Sequence, residues 1–202
     1  MTTYLLVSKI ILMVKIENSK RTILNLAESM LQDKGYNGFS YAHIAKELDV
    51  KNAAIHYHFP TKEDLSISVV RRYRERFKLW INNARVKELL PEEKLDWFFR
   101  IYTNMRADKG KVCLVGSMEA EFNSIPEGLQ GEVQALHKEM LTWLQTTLAE
   151  GREMGAFQFN GEPSNKAALI MSTLQGGLQM ARALGTKKFR DVIEQIKLDL
   201  LA

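Results

Sequence analysis

Cysteine is almost missing from this chain: Cys113 stands alone among 202 residues. An intrachain disulfide is therefore impossible, and this usage fits a reducing cytoplasm. Proline is scarce, at 4, and the 12 glycines are scattered, which suits long helices with short connections. There is no internal repeat and no low-complexity tract. Long apolar runs are lacking too. Residues 4–14, Tyr-Leu-Leu-Val-Ser-Lys-Ile-Ile-Leu-Met-Val, are too short to span a bilayer and are interrupted by Lys9. No basic stretch precedes them and no small-residue cleavage site follows, so they do not read as a signal peptide, and no membrane partner is expected. Histidine is limited to 4, three of them within residues 43–58, which leaves little for catalysis. No Ser/His/Asp set with a supporting motif, no GxGxxG, no P-loop and no HExxH is found. The expectation is a chain that is not an enzyme, with no catalytic residue, no cofactor and no metal.

What is present is a hydrophobic share of 46%, enough for a packed core and too high for a disordered chain. The length allows one large or two small domains. The net charge of +4 is unevenly spread. Residues 1–76 carry 12 Lys and Arg against 8 Asp and Glu, an excess of 4, whereas residues 77–202 carry 16 of each. The positive excess thus sits in one half, as expected when that half meets a polyanion.

The same half holds the most informative segment, residues 39–65. Ser40 is a good N-cap, and Ile44, Ala45 and Leu48 then recur at helical spacing. Asp49 sits where the chain must turn, since Asp tolerates the left-handed region, and Val50 is expected as an apolar plug beneath that turn. A second short helix is expected from Asn52 to Tyr57, stopped by Phe59-Pro60. Thr61 to Asp64 has the layout of a capping box with Asp in place of Glu. Such a helix pair can lay its second helix into the major groove of DNA.

Ile23-Leu24, Ala27, Leu31, Gly35-Tyr36, Ser40, Ile44-Ala45, Val50 and the run from Ile55 to Leu65 together resemble the DNA-binding domain of TetR-family transcriptional regulators, over roughly residues 18–70. The resemblance implies an all-α homodimer, with an N-terminal three-helix DNA reader and a C-terminal helical domain that binds a small effector and dimerises. Asp49 replaces a usual Gly, Lys51 a usual Ser and His56 a usual Tyr.

Nine helices and no strand are expected: Asn18–Lys34, the pair above, Lys62–Ala84, Pro91–Ala107, Cys113–Ser124, Pro126–Gly151, Pro163–Leu184 and Thr186–Leu201. Asp108-Lys-Gly110 reads as a turn and residues 155–161 as a loop. The helix from Pro91 carries Trp97, Phe98, Phe99, Ile101, Tyr102 and Met105, apolar almost all round, and is expected to be buried. The domain division reads as 18–76 for the DNA reader and 77–202 for effector binding and dimerisation, with the boundary inside the long helix near Phe77. Residues 1–17 precede the resemblance. Met13 is the favoured true start, with residues 1–12 an upstream extension; the rival is an apolar arm that packs on the dimer.

Phosphate contacts set affinity and base-edge contacts set preference. Ser40 and Tyr41 are candidates for phosphate contact through hydroxyls and a helix N-terminus. Lys51, Asn52, Ala53 and Ala54 open the recognition helix, where Asn52 can read adenine and the two alanines allow close approach. By resemblance His56, Tyr57, His58 and Lys62 line the phosphate backbone. Tyr57 and Phe59 can equally be core aromatics, the better reading for Phe59, and His58 can equally be a packing or capping residue. His56 and His58, two apart, face different ways and make no metal pair.

By resemblance the effector cavity involves Tyr102, Met105, Met118, Phe122, His137, Met140, Trp143, Met171, Leu174 and Met180. A Met and aromatic lining is adaptable, but the same stripe also makes plain core. Cys113 follows Gly110-Lys-Val at an expected helix start. A helix N-terminus and Lys111 both favour a thiolate, so a reactive sensor thiol is one reading and a small buried hydrophobe the other. Cys113-Leu114, Glu119, Glu121, Pro126 and Gly161-Glu-Pro163 are similar to the electrophile- and oxidant-responsive TetR branch.

The expected function is a dimeric, ligand-responsive repressor of a palindromic double-stranded DNA operator, released by an apolar or electrophilic small molecule. The alternatives are a DNA-binding regulator without an effector and a thiol sensor acting through Cys113. The expected dimer interface is the last two helices, through Leu178, Ala181, Leu184, Phe189, Val192, Ile193 and Ile196, with Gly176-Gly177 allowing close approach.

Overall fold

The computed structural model describes residues 19–107 and 110–201; the apolar run 4–14, the proposed start at Met13 and the turn residues 108–109 lie outside them. The described residues form helices joined by turns and short loops, with no strand among them. The first helix, α1, covers residues 19–34 and buries Ile23, Ala27, Met30 and Leu31, the face its spacing predicts. Gly35 ends it at φ 72, its N–H bonded to the Leu31 carbonyl at 3.0 Å.

α2 (Tyr41–Leu48) and α3 (Asn52–His58) follow as expected. Asp49 turns the chain between them in the left-handed region, at φ 52 and ψ 47. Val50 does not plug that turn: it is 42% exposed, while Ile44 and Ile55 supply the buried anchor from α2 and α3. α4 (Lys62–Ile81) opens on the reciprocal box foreseen at Thr61 and Asp64. Asp64 N–H donates to Thr61 Oγ1 at 3.0 Å, and Thr61 N–H to Asp64 Oδ2 at 3.1 Å. A cap of this kind contributes about 1 kcal/mol.

α4 stops three residues short of Ala84. The Asn82 side chain donates to the Lys78 carbonyl at 2.9 Å, and Asn83 Oδ1 accepts the Arg85 N–H at 3.0 Å. These two short amides end one helix and start an unforeseen turn of helix, α5 (Ala84–Lys87). α6 (Pro91–Ala107) has the expected bounds, but it is not buried all round: Phe98, Phe99 and Tyr102 are inside, while Trp97 is 47% exposed and Arg100 lies in solvent. The next segment divides into α7 (Leu114–Glu119) and a 3-10 turn, Phe122–Ser124, because the Ser124 hydroxyl takes the Glu121 carbonyl at 2.8 Å.

α8 (Glu127–Glu153) is the axial element, 27 residues long, and packs along α9 (Pro163–Leu184), α4 and α6. α9 in turn packs on α10 (Lys187–Leu201). Leu178, Ala181, Phe189, Ile193 and Ile196, expected at a dimer interface, are buried inside the single chain instead. Their faces join α9 to α10. A Cβ on Gly177 would come within 2.8 Å of the Phe189 ring, so the close approach read from this glycine is made within the chain; Gly176 faces open space. No helix among the described residues is long and apolar enough to cross a membrane.

Candidate DNA-reading face and sensing core

α3 is a short helix held at its inner side by Ile55 alone, so its other side chains are offered outward. Lys51, Asn52, Ala53, Ala54, His56 and Tyr57 are all exposed, Tyr57 to 73%. His58 is half-buried, its ring between those of Tyr57 and Phe59, and Phe59 is a core aromatic. His56 packs edge-on against Tyr41, with centroids 4.7 Å apart, and its Nδ1 lies 3.1 Å from the Pro60 carbonyl oxygen.

Two candidates are engaged inside the protein. Tyr41 is buried, and its Oη lies 2.9 Å from the Phe59 carbonyl and 2.5 Å from that of Thr61. Its hydroxyl therefore ties α2 to the elbow between α3 and α4 instead of facing a phosphate. Burial, aided by the charge of Asp64, pushes this phenol up to about 12. Lys62 is the second. Its ammonium sits 4.3 Å from the Tyr36 ring centre and 4.9 Å from that of Phe39, so it is spent on cation–π contacts. Burial lowers its pKa, and the carboxylate of Glu121 opposes that shift. Ser40 is partly exposed and forms a capping box with His43, whose Nδ1 accepts the Ser40 N–H at 3.2 Å.

The residues expected to line an effector cavity divide. Tyr102, Cys113, Met118, Met140, Met171 and Leu174 are each 1% exposed or less and interdigitate at the centre. The Tyr102 hydroxyl donates to Met171 Sδ at 3.4 Å. Met105, Phe122 and Trp143 are partly buried against this core. His137 pairs with Glu119 across α8 and α7. Met180, 47% exposed, is outside the cluster. Gln175 was not singled out from the sequence, yet its side chain lies against Gly116 of α7, and its buried Nε2 finds no partner among the described residues. A polar residue on an apolar helix face was the only signal that could have drawn notice to it.

Cys113 is the N-cap of α7, as its position suggests, but the expected low thiol pKa is not found. Full burial pushes the thiol up, and the Glu119 charge adds to this. Hydrogen bonds from the N–H groups of Gly116 and Val115 and from Tyr102 favour the thiolate and offset only part of that cost.

One segment joins the two regions. Glu121, just past α7, accepts the N–H groups of Tyr36 and Asn37 at 2.6 and 3.1 Å, and the Asn37 amide donates to Ser124 Oγ at 2.9 Å. The Val112 N–H donates to the Gln32 carbonyl at 3.2 Å. Gly35 fits beneath this contact: a Cβ there would meet Glu121 Oε1 at 2.7 Å. A second join runs along α4 and α8, where Arg74 reaches both Glu132 and Glu139 at 2.5 Å.

Residues 23–69 match the family described as bacterial regulatory proteins, tetR family, and residues 91–196 match the tetracyclin repressor-like C-terminal domain. A TetR-family regulator from Agrobacterium tumefaciens superimposes with a TM-score of 0.85 at 29% identity, over 93% of this chain and 100% of that one. A TetR regulator from Legionella pneumophila gives 0.77 at 31% identity, over 89% and 95%. The HTH-type transcriptional repressor NemR of Escherichia coli strain K12 is 20% identical over 173 residues, 82% of this chain and 84% of that protein.

Proposed function

The chain belongs to the TetR family of bacterial regulatory proteins, and from that membership we propose a dimeric repressor that holds a near-palindromic operator and lets it go when a small molecule occupies the C-terminal domain. In this reading residues 18–76 read DNA and residues 77–202 sense and dimerise. Lys51, Asn52, Ala53, Ala54, His56 and Tyr57 face the groove, with Ser40 at the phosphates. Asn52 carries the base preference, since its amide offers a donor and an acceptor together.

The observation that carries the proposal is the Glu121 contact. α7 is capped by the buried Cys113 at its start, and Glu121, just past its end, holds the loop that leads into α2. An effector that moves α7 therefore moves the base of the helix pair. It lowers DNA affinity only by binding the DNA-free form more tightly. The test is fluorescence anisotropy on labelled duplexes from the DNA upstream of the chain's own gene, at fixed salt. A half-site pair about one helical turn apart, or a small multiple, should bind far more tightly than scrambled duplex. Equal affinity for both would overturn the reading.

A second reading keeps the repressor and makes Cys113 the sensor. It rests on the placement of that sulfur at the start of α7, where an added group on the thiol could not fit without displacing the helix.

A further inference from the structure

Between α4 and α6 lies a cleft of about 370 Å³ that the expected cavity residues do not line. Its walls are flat rings: Phe77 and Trp80 from α4, Trp97 from α6, with Ile101 alongside. Its rim carries two guanidinium groups, Arg76 and Arg100. Arg100 stacks on Trp97, 5.0 Å from the ring centre, and has no acidic partner among the described residues. Arg76 is shared. It stacks on Tyr73 at 5.1 Å and reaches Glu28 of α1 at 2.6 Å.

We propose that this cleft is the effector site, and that its occupant is a small amphipathic anion with a flat apolar body and one carboxylate or sulfonate. The proposal rests on the regulator reading above and names the ligand class for it. The volume falls in the range of small-molecule sites. Stacked rings accept a flat apolar body. A guanidinium without an acid partner, set at the mouth, selects a negative head and matches a planar carboxylate in two hydrogen bonds. The site also sits where binding can be felt. Glu28 takes both Arg72 and Arg76, at 2.6 Å each, and so fastens α1 of the DNA reader to α4. An anion at the rim competes with Glu28 for Arg76 and loosens that join. Inward, Phe77 and Trp80 contact Trp143 with centroids 6.2 and 4.8 Å apart, Trp143 meets Phe98 at 5.3 Å, and Phe98 meets Tyr102 at 5.5 Å. The cleft is thereby packed directly onto the core that holds α7.

The experiment uses the full chain and two fluorescent probes of similar body, the anion 1-anilinonaphthalene-8-sulfonate and the neutral N-phenyl-1-naphthylamine. The anion should bind once per chain and take up energy from the tryptophans, two of which line the cleft. Arg100→Gln should weaken the anion about tenfold and leave the neutral probe unchanged, and Arg100→Lys should restore part of the loss. Equal weakening of both probes, or an anion affinity indifferent to Arg100, would overturn the site. Saturating anion should also lower affinity for the operator duplex; if binding at the cleft leaves operator affinity unchanged, this is not the effector site. A chain that binds no operator at all, yet binds the anion through Arg100, overturns the regulator reading and leaves the cleft standing.

Discussion

The Glu121 carboxylate accepts the backbone N–H of Tyr36 at 2.6 Å, across 85 positions of sequence. The same oxygen takes the Asn37 N–H at 3.1 Å, so one side chain caps the loop between α1 and α2 from the other half of the molecule. Charged acceptors make stronger hydrogen bonds than neutral ones, and this acceptor serves two donors. It links the segment just past α7 to the loop that leads into the helix pair.

Glu121→Ala should therefore lower stability by about 1–2 kcal/mol in urea denaturation, the cost of leaving those donors to partial solvation. It should also speed hydrogen exchange at the Tyr36 and Asn37 amides. In the repressor reading the variant still binds operator but responds weakly to effector. Unchanged exchange at both amides would remove Glu121 from the coupling.

The internal engagement of Tyr41 and Lys62 separates positioning from contact. Tyr41→Phe removes a buried donor from two carbonyls and should cost about 1–2 kcal/mol of stability. Lys62→Ala should lower stability and leave the slope of log affinity against log salt unchanged, because its ammonium rests on two rings. Asn52→Ala, at an exposed site, should leave stability within about 0.5 kcal/mol and relax preference at one base pair by about 1–3 kcal/mol. A salt slope reduced by about one unit in Lys62→Ala would return that lysine to the phosphates.

The helix pair was legible because its signals are local. A cap at Thr61, a left-handed turn at Asp49 and a stop at Phe59-Pro60 each act within a few residues, and each is present. Side-chain destination was less legible. Tyr41 and Lys62 carry groups suited to phosphate, but the sequence does not say that the Phe59 and Thr61 carbonyls or the Tyr36 ring lie closer. The apolar stripe of α6 hid its open face, since Trp97 scores as core by type while packing leaves it at the mouth of a cleft. Leu178, Ala181, Phe189, Ile193 and Ile196 read the same whether their partner helix belongs to this chain or to another copy, and only the packing of α9 on α10 assigns them, while Leu184 of the same set stays exposed.

The two adjacent glycines of α9 separate those cases. Gly177→Ala should destabilise the fold, because its methyl would enter the Phe189 ring space at 2.8 Å. Gly176 meets nothing within 4 Å in the single chain. There, alanine should stabilise the isolated helix by about 0.5–1 kcal/mol. If a second copy packs its backbone at this face, Gly176→Ala instead weakens the dimer, measured by sedimentation equilibrium. We expect the weaker dimer; wild-type association in Gly176→Ala would move the interface off this face, toward exposed Leu184 or Leu198.

Burial governs Cys113, and the pH dependence follows from the sign of its shift. The folded thiol is pushed up, so the unfolded chain loses its proton first, at the ordinary thiol value of about 8.5. The stabilising effect of the neutral buried thiol is complete below that value and declines as pH rises above it. Cys113→Ser should flatten this alkaline decline in a series of denaturation curves. Iodoacetamide should modify the native thiol far more slowly than the unfolded one, since the sulfur is buried and protonated. A sensor at this position must then react through local opening of α7, and its rate should follow the opening of the Glu121 contact: Glu121→Ala should accelerate modification of Cys113. The thiol reading further requires that Cys113→Ser bind operator normally and fail to release it with a quinone. Release at wild-type levels would make Cys113 a core residue and leave sensing to non-covalent binding.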